Sequence, residues 1–155
     1  DDGSIMIQLY FGLDSKYTSG YGMKHTNEFV DSLQDEIRKE GAMEKLISDR
    51  AQVEISNKVH DILRNLIIGD WQSAPYKENM NPAERQYQNV KRKTNLILNR
   101  SGAPAKCWLL ATLYVIFILN ITSTPELKGR TPYEAKYGTT PDISHVFMFT
   151  FYDNV

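Results

Sequence analysis

Two stretches, Leu46-Ile47-Ser48-Asp49 and Asn81-Pro82-Ala83-Glu84-Arg85, say most about the fold of this chain. Their carboxylates, Asp49 and Glu84, are 35 positions apart in the sequence. The first is a short apolar run that is typical of a strand and ends at an acid. The second has Asn as an N-cap, Pro at the first helical position and Glu at the third, which predicts the start of a helix. The pairing suggests two metal ligands that folding brings together.

Asp49 and Glu84 are the candidate catalytic and metal-binding residues. Hard divalent cations such as Mg²⁺ bind oxygen ligands, usually one or two carboxylates together with water and substrate phosphates. Two ions held about 4 Å apart can stabilise both the attacking and the leaving oxygen of a phosphoryl displacement. A third carboxylate normally bridges the two ions, so this pair alone predicts an incomplete two-metal site.

Each carboxylate also has a simpler interpretation. A Glu three residues after an Asn N-cap can complete a capping box by accepting a hydrogen bond from a backbone amide. An Asp at a strand end, followed here by Arg50, is commonly a turn acid or one half of a surface ion pair. Local sequence alone leaves both interpretations open for Asp49 and Glu84.

Length and composition are those of one soluble domain. The chain has 155 residues, of which 41% are hydrophobic and 24% are charged, and it can bury a single core. The net charge is −1, but residues 1–61 carry 7 basic and 12 acidic side chains, whereas residues 62–155 carry 11 and 7. From Arg85 to Arg100 there are five basic residues and no acid, which predicts a local basic face for a phosphate backbone.

Cysteine and histidine usage argues against two kinds of site. Cys107 is the only cysteine, so no internal disulfide can form and a reducing compartment is expected. The three histidines have no neighbouring Cys or His at zinc-binding spacing. The chain opens on Asp1-Asp2-Gly3-Ser4, without the basic and then apolar stretch of a secretory signal, so it is not expected to be secreted.

Hydrophobic periodicity and turn residues predict alternating strands and helices. The predicted order is a hairpin of 4–13 and 16–23, a helix from Thr26 over 26–40, a strand over 45–48, a helix over 55–66, a strand over 66–68 with Trp71, and helices over 82–100 and 104–121. These elements predict an α/β fold with a mixed sheet. The apolar run Cys107–Leu119 has 13 residues, too few for a bilayer, which takes about 20; a core or dimer helix is expected, and no membrane binding.

Six groups of residues follow one another in an order that matches a known family. They are Leu13-Asp14-Ser15-Lys16; Leu46-Ile47-Ser48-Asp49; Ser73-Ala74-Pro75-Tyr76; Asn81-Pro82-Ala83-Glu84-Arg85; Trp108, Ala111 and Asn120; and Thr131-Pro132-Tyr133-Glu134 with Gly138 and Pro141-Asp142-Ile143-Ser144-His145. In these segments the chain resembles the catalytic core of a retroelement integrase, closest to copia-type LTR retrotransposons. The resemblance covers nearly the whole chain, and the separation of 35 positions fits the family spacing.

The resemblance implies a fold and an activity. The fold would be ribonuclease H-like, a five-stranded mixed sheet flanked by helices, over residues 1–123, with a loop-rich post-core segment over 124–155. Asp49 and Glu84 would bind Mg²⁺ or Mn²⁺ and promote attack by water, and then by a DNA 3′-hydroxyl, on phosphodiester bonds. No protein nucleophile is required for that chemistry. The parent protein would act as a homo-oligomer in the nucleus and in an intracellular virus-like particle.

DNA contacts are expected on the helix that follows Asn81. Positions 84, 88, 91 and 95 lie on one helical face, which in the family contacts DNA ends, and Lys91 matches a basic contact seven residues beyond the Glu. The resemblance therefore implies that Lys91, Gln88, Asn81 and Arg85 bind DNA. A solvated helix surface is the alternative.

The chain departs from the family at its start. The first catalytic Asp of the family sits on the central first strand, well before the position that Asp14 matches, and Asp1 and Asp2 lie too close to Asp14 to replace it. That Asp and most of the central strand are therefore expected to be missing, together with the flanking zinc-binding and C-terminal DNA-binding domains. The polypeptide as it stands is expected to be inactive.

Two other functions stay open. A degenerate or domesticated integrase-like domain would bind DNA or a partner protein without performing chemistry. A ribonuclease H nuclease would use the same fold on an RNA–DNA hybrid, but the Asn-Pro-Ala-Glu-Arg segment and the copia-like tail argue against it.

Overall fold

The computed structural model describes residues 3–48, 56–72, 82–147 and 151–152. Its strands are β1 Met6–Phe11, β2 Thr18–Met23, β3 Lys45–Ser48 and β4 Gly69–Gln72. Its α-helices are α1 Phe29–Glu40, α2 Asn57–Asn65, α3 Pro82–Ser101, α4 Trp108–Ile121 and α5 Pro132–Tyr137. Four short 3₁₀ helices are Thr26–Glu28, Ala105–Cys107, Pro125–Leu127 and Ser144–Phe147. The predicted α/β class is confirmed.

The strands pair in two separate ladders within the described residues. β1 and β2 form one, a hairpin closed by the backbone bond from Gly12 N–H to Tyr17 O at 2.9 Å. β3 and β4 pair in parallel, with Leu46 opposite Asp70, and the segment containing α2 makes the crossover that parallel strands require. Both strand directions predicted for a mixed sheet are therefore present. The described strands nevertheless make two two-stranded sheets instead of the five-stranded sheet that the resemblance implied.

The chain divides into two compact units. The first, here the α3–α5 unit, contains Leu9–Gly20 and Pro82–Val155, and the second, here the α1–α2 unit, contains Gly3–Gln8 and Tyr21–Asn81. The β1–β2 hairpin contributes its turn end to the first and its open end to the second. The predicted boundary between residues 123 and 124 does not coincide with this division and stays a prediction.

The α1–α2 unit has an apolar core. Strand β3 alternates as a half-buried sheet requires, with Leu46 and Ser48 buried, Lys45 exposed and Ile47 only partly buried. Its buried apolar side chains come from both helices and from the strands and their flanks: Met23, Phe29, Leu33, Leu46, Val59, Leu63 and Ile68. The helical periodicity predicted for both helices is confirmed.

The α3–α5 unit is organised around the packing of α3 against α4. Val90 and Thr94 are the buried residues of α3, and α4 buries Ala111, Thr112, Val115, Ile116 and Asn120. The hydroxyl groups of Thr94 and Thr112 lie 3.4 Å apart across this interface. Because α4 is apolar all round, its outward side chains stay exposed, with Leu110 at 63%.

The segment Ala105–Leu127 is long and apolar enough to cross a membrane, judged by length and composition only. Within it, α4 has 14 residues and therefore spans about 21 Å, whereas the apolar layer of a bilayer is about 30 Å thick. Burial of Ala111, Val115 and Asn120 inside the protein agrees with the predicted core helix. That the chain binds no membrane stays a prediction.

Helix α5 was not predicted, since it lies in the segment 124–155 that was expected to be loop-rich, and its own sequence fixes both of its ends. Thr131 Oγ1 accepts a hydrogen bond from Glu134 N–H at 3.0 Å, and Glu134 Oε2 accepts one from Thr131 N–H at 2.9 Å, which is a capping box. Hydrogen bonds from Thr131 N–H and then from the Thr140 hydroxyl hold the pKa of the Glu134 carboxyl below its ordinary value. Pro132 starts the helix and Gly138, at φ 72°, ends it.

Two local predictions were wrong. Thr26 was expected to cap the first helix, but it lies inside a 3₁₀ turn whose cap residue is His25. A strand was expected over residues 66–68 with Trp71. The strand contains Trp71, but it runs over Gly69–Gln72 and leaves out 66–68. Ile68 N–H donates to Leu63 O at 2.8 Å and Ile67 N–H donates to Arg64 O at 3.2 Å, which is a Schellman motif that ends α2.

Ile67 is strained at this helix end. It occupies the position after the C-cap, where glycine is usual, with φ 55° and with 92% of its surface exposed. Left-handed backbone brings Cβ too close to the following carbonyl oxygen, and a β-branched residue suffers most. Its neighbour Ile68 is buried, so the two isoleucines resemble a strand in sequence while only one contributes to the core.

Replacing Ile67 with glycine is expected to stabilise the protein. Ile67→Gly should raise the free energy of unfolding by about 1 kcal/mol, because relief of the left-handed strain exceeds the entropy cost of glycine. Urea denaturation measures the change.

Gly138→Ala is the matched control, because Gly138 ends α5 with a left-handed backbone, at φ 72°. A Cβ there would meet nothing within 4 Å, so the expected loss of about 1 kcal/mol would be purely conformational. Destabilisation by Ile67→Gly would show that the Ile67 side chain makes a contact in solution, and would contradict the prediction.

Candidate functional site

Helix α3 carries the predicted site at its first turn. It has 20 residues, beginning at Pro82, and the residues from Val90 onward supply its buried face. Glu84, in the first turn, is exposed. The predicted helix start is confirmed, and the side chain lies where a solvent-borne cation can reach it.

The Glu84 carboxylate has a polar partner one turn further along α3. Gln88 Nε2 donates a hydrogen bond to Glu84 Oε1 at 2.8 Å, an i,i+4 pair on one helical face. A capping box with Asn81 was the alternative, but Asn81 lies outside the described residues. A carboxylate that uses one oxygen to accept from an amide keeps a second oxygen suited to a hard cation.

Two of the predicted site residues, Asp49 and Asn81, lie outside the part of the chain that the structure describes, as does the Ser73-Ala74-Pro75-Tyr76 motif. Their predicted roles in metal and DNA binding therefore stay predictions. Within the described ranges, no group of three or more His, Cys, Asp or Glu side chains converges as a metal site. Glu84 is thus the one described member of the predicted metal pair, and its oxygen chemistry fits Mg²⁺ or Mn²⁺.

The outer face of α3 carries the predicted DNA-binding residues that the structure describes. Gln88, Lys91 and Arg85 are all exposed, and so are Arg92 and Asn95. Positions 84, 88, 91 and 95 are all exposed, and that this face binds DNA stays a prediction. The face combines one carboxylate, one cation and two amides, which are groups that bind metal ions and phosphate oxygens.

A buried amide on α4 fixes the turn end of the hairpin. Thr18 N–H donates to Asn120 Oδ1 at 2.9 Å, and Asn120 Nδ2 donates to Thr18 O at 2.8 Å. Thr18 is 1% exposed and Asn120 is 5% exposed. The side chain of Asn120 thus pairs with β2 as a neighbouring strand would, and it closes the edge of the hairpin at this position. This geometry gives Asn120 a structural role.

Helix α3 contacts the same threonine. Gln86 Nε2 donates to Thr18 Oγ1 at 3.0 Å, and Asn89 Nδ2 lies 3.4 Å from Gln86 Oε1. Neither Gln86 nor Thr18 was singled out from the sequence. The available signal was a glutamine on the side of the helix that turns inward, where an amphipathic pattern calls for an apolar residue.

The fold is that of retroviral integrase catalytic cores. One matching chain, from the simian T-cell lymphotropic virus intasome in complex with a PP2A regulatory subunit, has a TM-score of 0.73 and 16% identity over 88% of this chain. The HTLV-2 integrase catalytic core domain in complex with magnesium (dimeric form) has a TM-score of 0.67 and 16% identity over 84% of this chain. The catalytic core domain of BIV integrase has a TM-score of 0.67 and 17% identity over 85% of this chain.

The extent of these matches differs between the two kinds of chain. This chain spans 49% of the intasome chain but 83% and 85% of the two core domains. No protein-family model and no curated protein sequence matches it. The similarity therefore concerns the architecture of the core domain.

Removing the Asn120 amide is expected to destabilise the protein strongly. Asn120→Leu leaves the buried N–H and C=O groups of Thr18 without partners, which should lower the free energy of unfolding by about 2 to 4 kcal/mol. The measurement is urea denaturation followed by circular dichroism. Asn99→Leu, on the exposed surface of α3, is the control and should change stability by less than about 0.5 kcal/mol. Equal effects of the two variants would contradict the prediction.

Proposed function

We propose that this chain is an integrase-like polynucleotidyl transferase domain, from a copia-type retrotransposon, that belongs to the machinery of DNA integration. The observation that carries the proposal is the match of 84% or more of the chain to retroviral integrase catalytic cores, with Glu84 exposed at the first turn of the long helix α3. The ordered motifs from Leu13 to His145 support the finer assignment to copia-type elements.

The proposed chemistry is 3′-end processing and strand transfer. Asp49 and Glu84 would hold Mg²⁺ or Mn²⁺, and the bound ions would supply Lewis-acid stabilisation of the phosphodiester oxygens. One of the similar cores is in complex with magnesium. Gln88 donates to one oxygen of the Glu84 carboxylate at 2.8 Å, which would favour one direction of that carboxylate on the helix surface.

Lys91, Arg85 and Gln88 would position the DNA. Their side chains follow the exposed face of α3 beyond Glu84, where cations can neutralise phosphates on either side of the reacting bond. Asn81 would contact the DNA at the helix start. Such contacts fix the register of the duplex and are largely independent of its sequence.

A second candidate function is binding of DNA without chemistry. The exposed basic residues Lys91 and Arg92 favour it, because phosphate binding needs only the cations of α3 and no metal. The two functions differ in what Glu84 does. In the enzyme it is a metal ligand, whereas in a binding domain it is a surface carboxylate beside the DNA.

Substitutions at Lys91 and Glu84 distinguish these functions. Lys91→Glu should weaken binding of duplex DNA about tenfold at low salt, since a phosphate contact becomes a repulsion, as measured by fluorescence anisotropy. Glu84→Gln should leave that affinity unchanged. The polypeptide as it stands is expected to perform no strand transfer, so Mn²⁺-dependent strand transfer into plasmid DNA that Glu84→Gln abolishes would overturn the expected inactivity. Lys128→Glu, at an exposed lysine outside α3, is the charge-matched control and should have little effect.

Each outcome points to one function. Strand transfer that depends on Glu84 and on Asp49, tested as Asp49→Asn, supports the enzyme. Binding that depends on Lys91, without strand transfer under any metal, supports the binding domain. Cleavage of an RNA–DNA hybrid instead of DNA would support a ribonuclease H, and equal loss of affinity in Lys91→Glu and Lys128→Glu would contradict a specific DNA face.

We also propose that the chain forms homo-oligomers through the outer face of α4. Leu110, Leu113 and Phe117 recur at helical spacing and stay exposed, and an apolar stripe on a helix is usually covered by a partner. One of the similar core domains, that of HTLV-2 integrase, is described in a dimeric form and in a trimeric form. A second copy of this chain is the proposed partner.

Placing a charge in that stripe should break the oligomer. Phe117→Lys is expected to shift the protein to monomer in sedimentation velocity, because the ammonium would be buried without a partner in the interface. Leu66→Lys, at an exposed leucine in the α1–α2 unit, is the control, and its sedimentation coefficient should equal that of the wild type. A monomeric wild type, or an unchanged oligomer in Phe117→Lys, would contradict the proposed interface.

A further inference from the structure

Thr18 joins three elements of the α3–α5 unit through three hydrogen bonds. Its N–H and C=O pair with the Asn120 side chain of α4, and its hydroxyl accepts from Gln86 of α3. Because Asn120 holds the Thr18 backbone at two points, the Thr18 hydroxyl has a fixed position. It therefore offers Gln86 an anchor that is itself immobile.

Gln86 anchors the inner side of the helix end that carries Glu84. Two residues along an α-helix correspond to about 200° of rotation, so Gln86 and Glu84 lie on nearly opposite sides of α3. Glu84 and Gln88 are exposed, whereas Gln86 is half-buried. The hydrogen bond to Thr18 thus holds the helix from the inside at the level of the exposed carboxylate.

The apolar packing of α3 begins only after this point. Val90 is the first fully buried residue of the helix, and three side chains before it are half-buried, those of Ala83, Gln86 and Asn89. The first turn of a helix also lacks intrahelical partners for its N–H groups and frays readily. The Gln86 bond thus holds the turn that carries Glu84, ahead of the fully buried part of the helix.

We propose that Gln86 and Thr18 are positioning residues for the Glu84 carboxylate. Their hydrogen bond prevents the first turn of α3 from fraying and thereby keeps Glu84 in the one orientation in which it binds a divalent cation. The inference rests on the proposed role of Glu84 as a metal ligand. The hydrogen bond between Gln86 and Thr18, on the inner side of the helix, would thereby contribute to the affinity of the exposed Glu84 carboxylate for the cation.

The test measures Mn²⁺ affinity and helix-end exchange in the same variants. Gln86→Ala and Thr18→Val each remove the bond, and each should weaken Mn²⁺ binding about tenfold, the lower end of the effect of outer-shell partners, as measured from the free-ion signal in electron paramagnetic resonance. The double variant should bind no more weakly than the weaker single one, because both changes remove the same bond. Thr18→Ser keeps the hydroxyl and should retain the wild-type affinity.

Hydrogen exchange reports the helix end directly and needs no metal. The amides of residues 86–90 should exchange faster in Gln86→Ala and Thr18→Val than in the wild type. Thr94→Val is the matched control, since it removes another hydroxyl contact of α3, to Thr112, in the packed part of the helix. It should lower stability while leaving both Mn²⁺ affinity and exchange at residues 86–90 unchanged.

Glu84→Gln separates this inference from the proposed function. If Glu84→Gln weakens Mn²⁺ binding while Gln86→Ala and Thr18→Val do not, the positioning role is overturned and the metal ligand stands. If Glu84→Gln has no effect on Mn²⁺ binding, the metal ligand itself is overturned, and with it the role of Gln86 toward the site. Weaker binding in all three, with the Thr94→Val control unchanged, supports both.

Discussion

A single asparagine side chain makes the two hydrogen bonds with the start of β2 that a neighbouring strand would make there. Asn120 pairs with both backbone groups of Thr18, 102 positions away in sequence, and leaves neither buried group without a partner. In an apolar interior, the loss of either bond would be costly. The pairing fixes the turn end of the hairpin against α4, and through the Thr18 hydroxyl it reaches α3, the helix that carries Glu84.

Helix α3 separates two kinds of chemistry on its two sides. Its inner side passes from the polar bond of Gln86 to the apolar packing of Val90, while its outer side carries Glu84, Gln88 and Lys91 in water. Metal binding and phosphate binding both need exposed groups with fixed directions. In the proposed function, the inner contacts would hold these groups in place, while the outer groups stay exposed to solvent.

Much of the fold follows from local sequence rules. Helix α5 is determined almost residue by residue, by the capping box of Thr131 and Glu134, by Pro132 and by Gly138. The end of α2 was mispredicted because an Ile occupies a position that normally requires glycine, and three apolar residues in a row resemble a strand. Of the candidate site, the face with Glu84, Gln88 and Lys91 was predictable from helical periodicity, but the partners that orient it were not.

Local sequence predicts the α/β class, the start of α3 and the exposed face that presents Glu84, because caps, prolines and periodicity act over a few residues. Tertiary structure decided that Thr18, Gln86 and Asn120 meet. The hydrogen bond of Gln86 with Thr18 spans 68 positions of sequence, and those of Asn120 with Thr18 span 102. Such bonds have no local signature, since any buried amide can pair with any backbone group that the fold brings within reach. The orientation of the candidate site depends on those distant contacts.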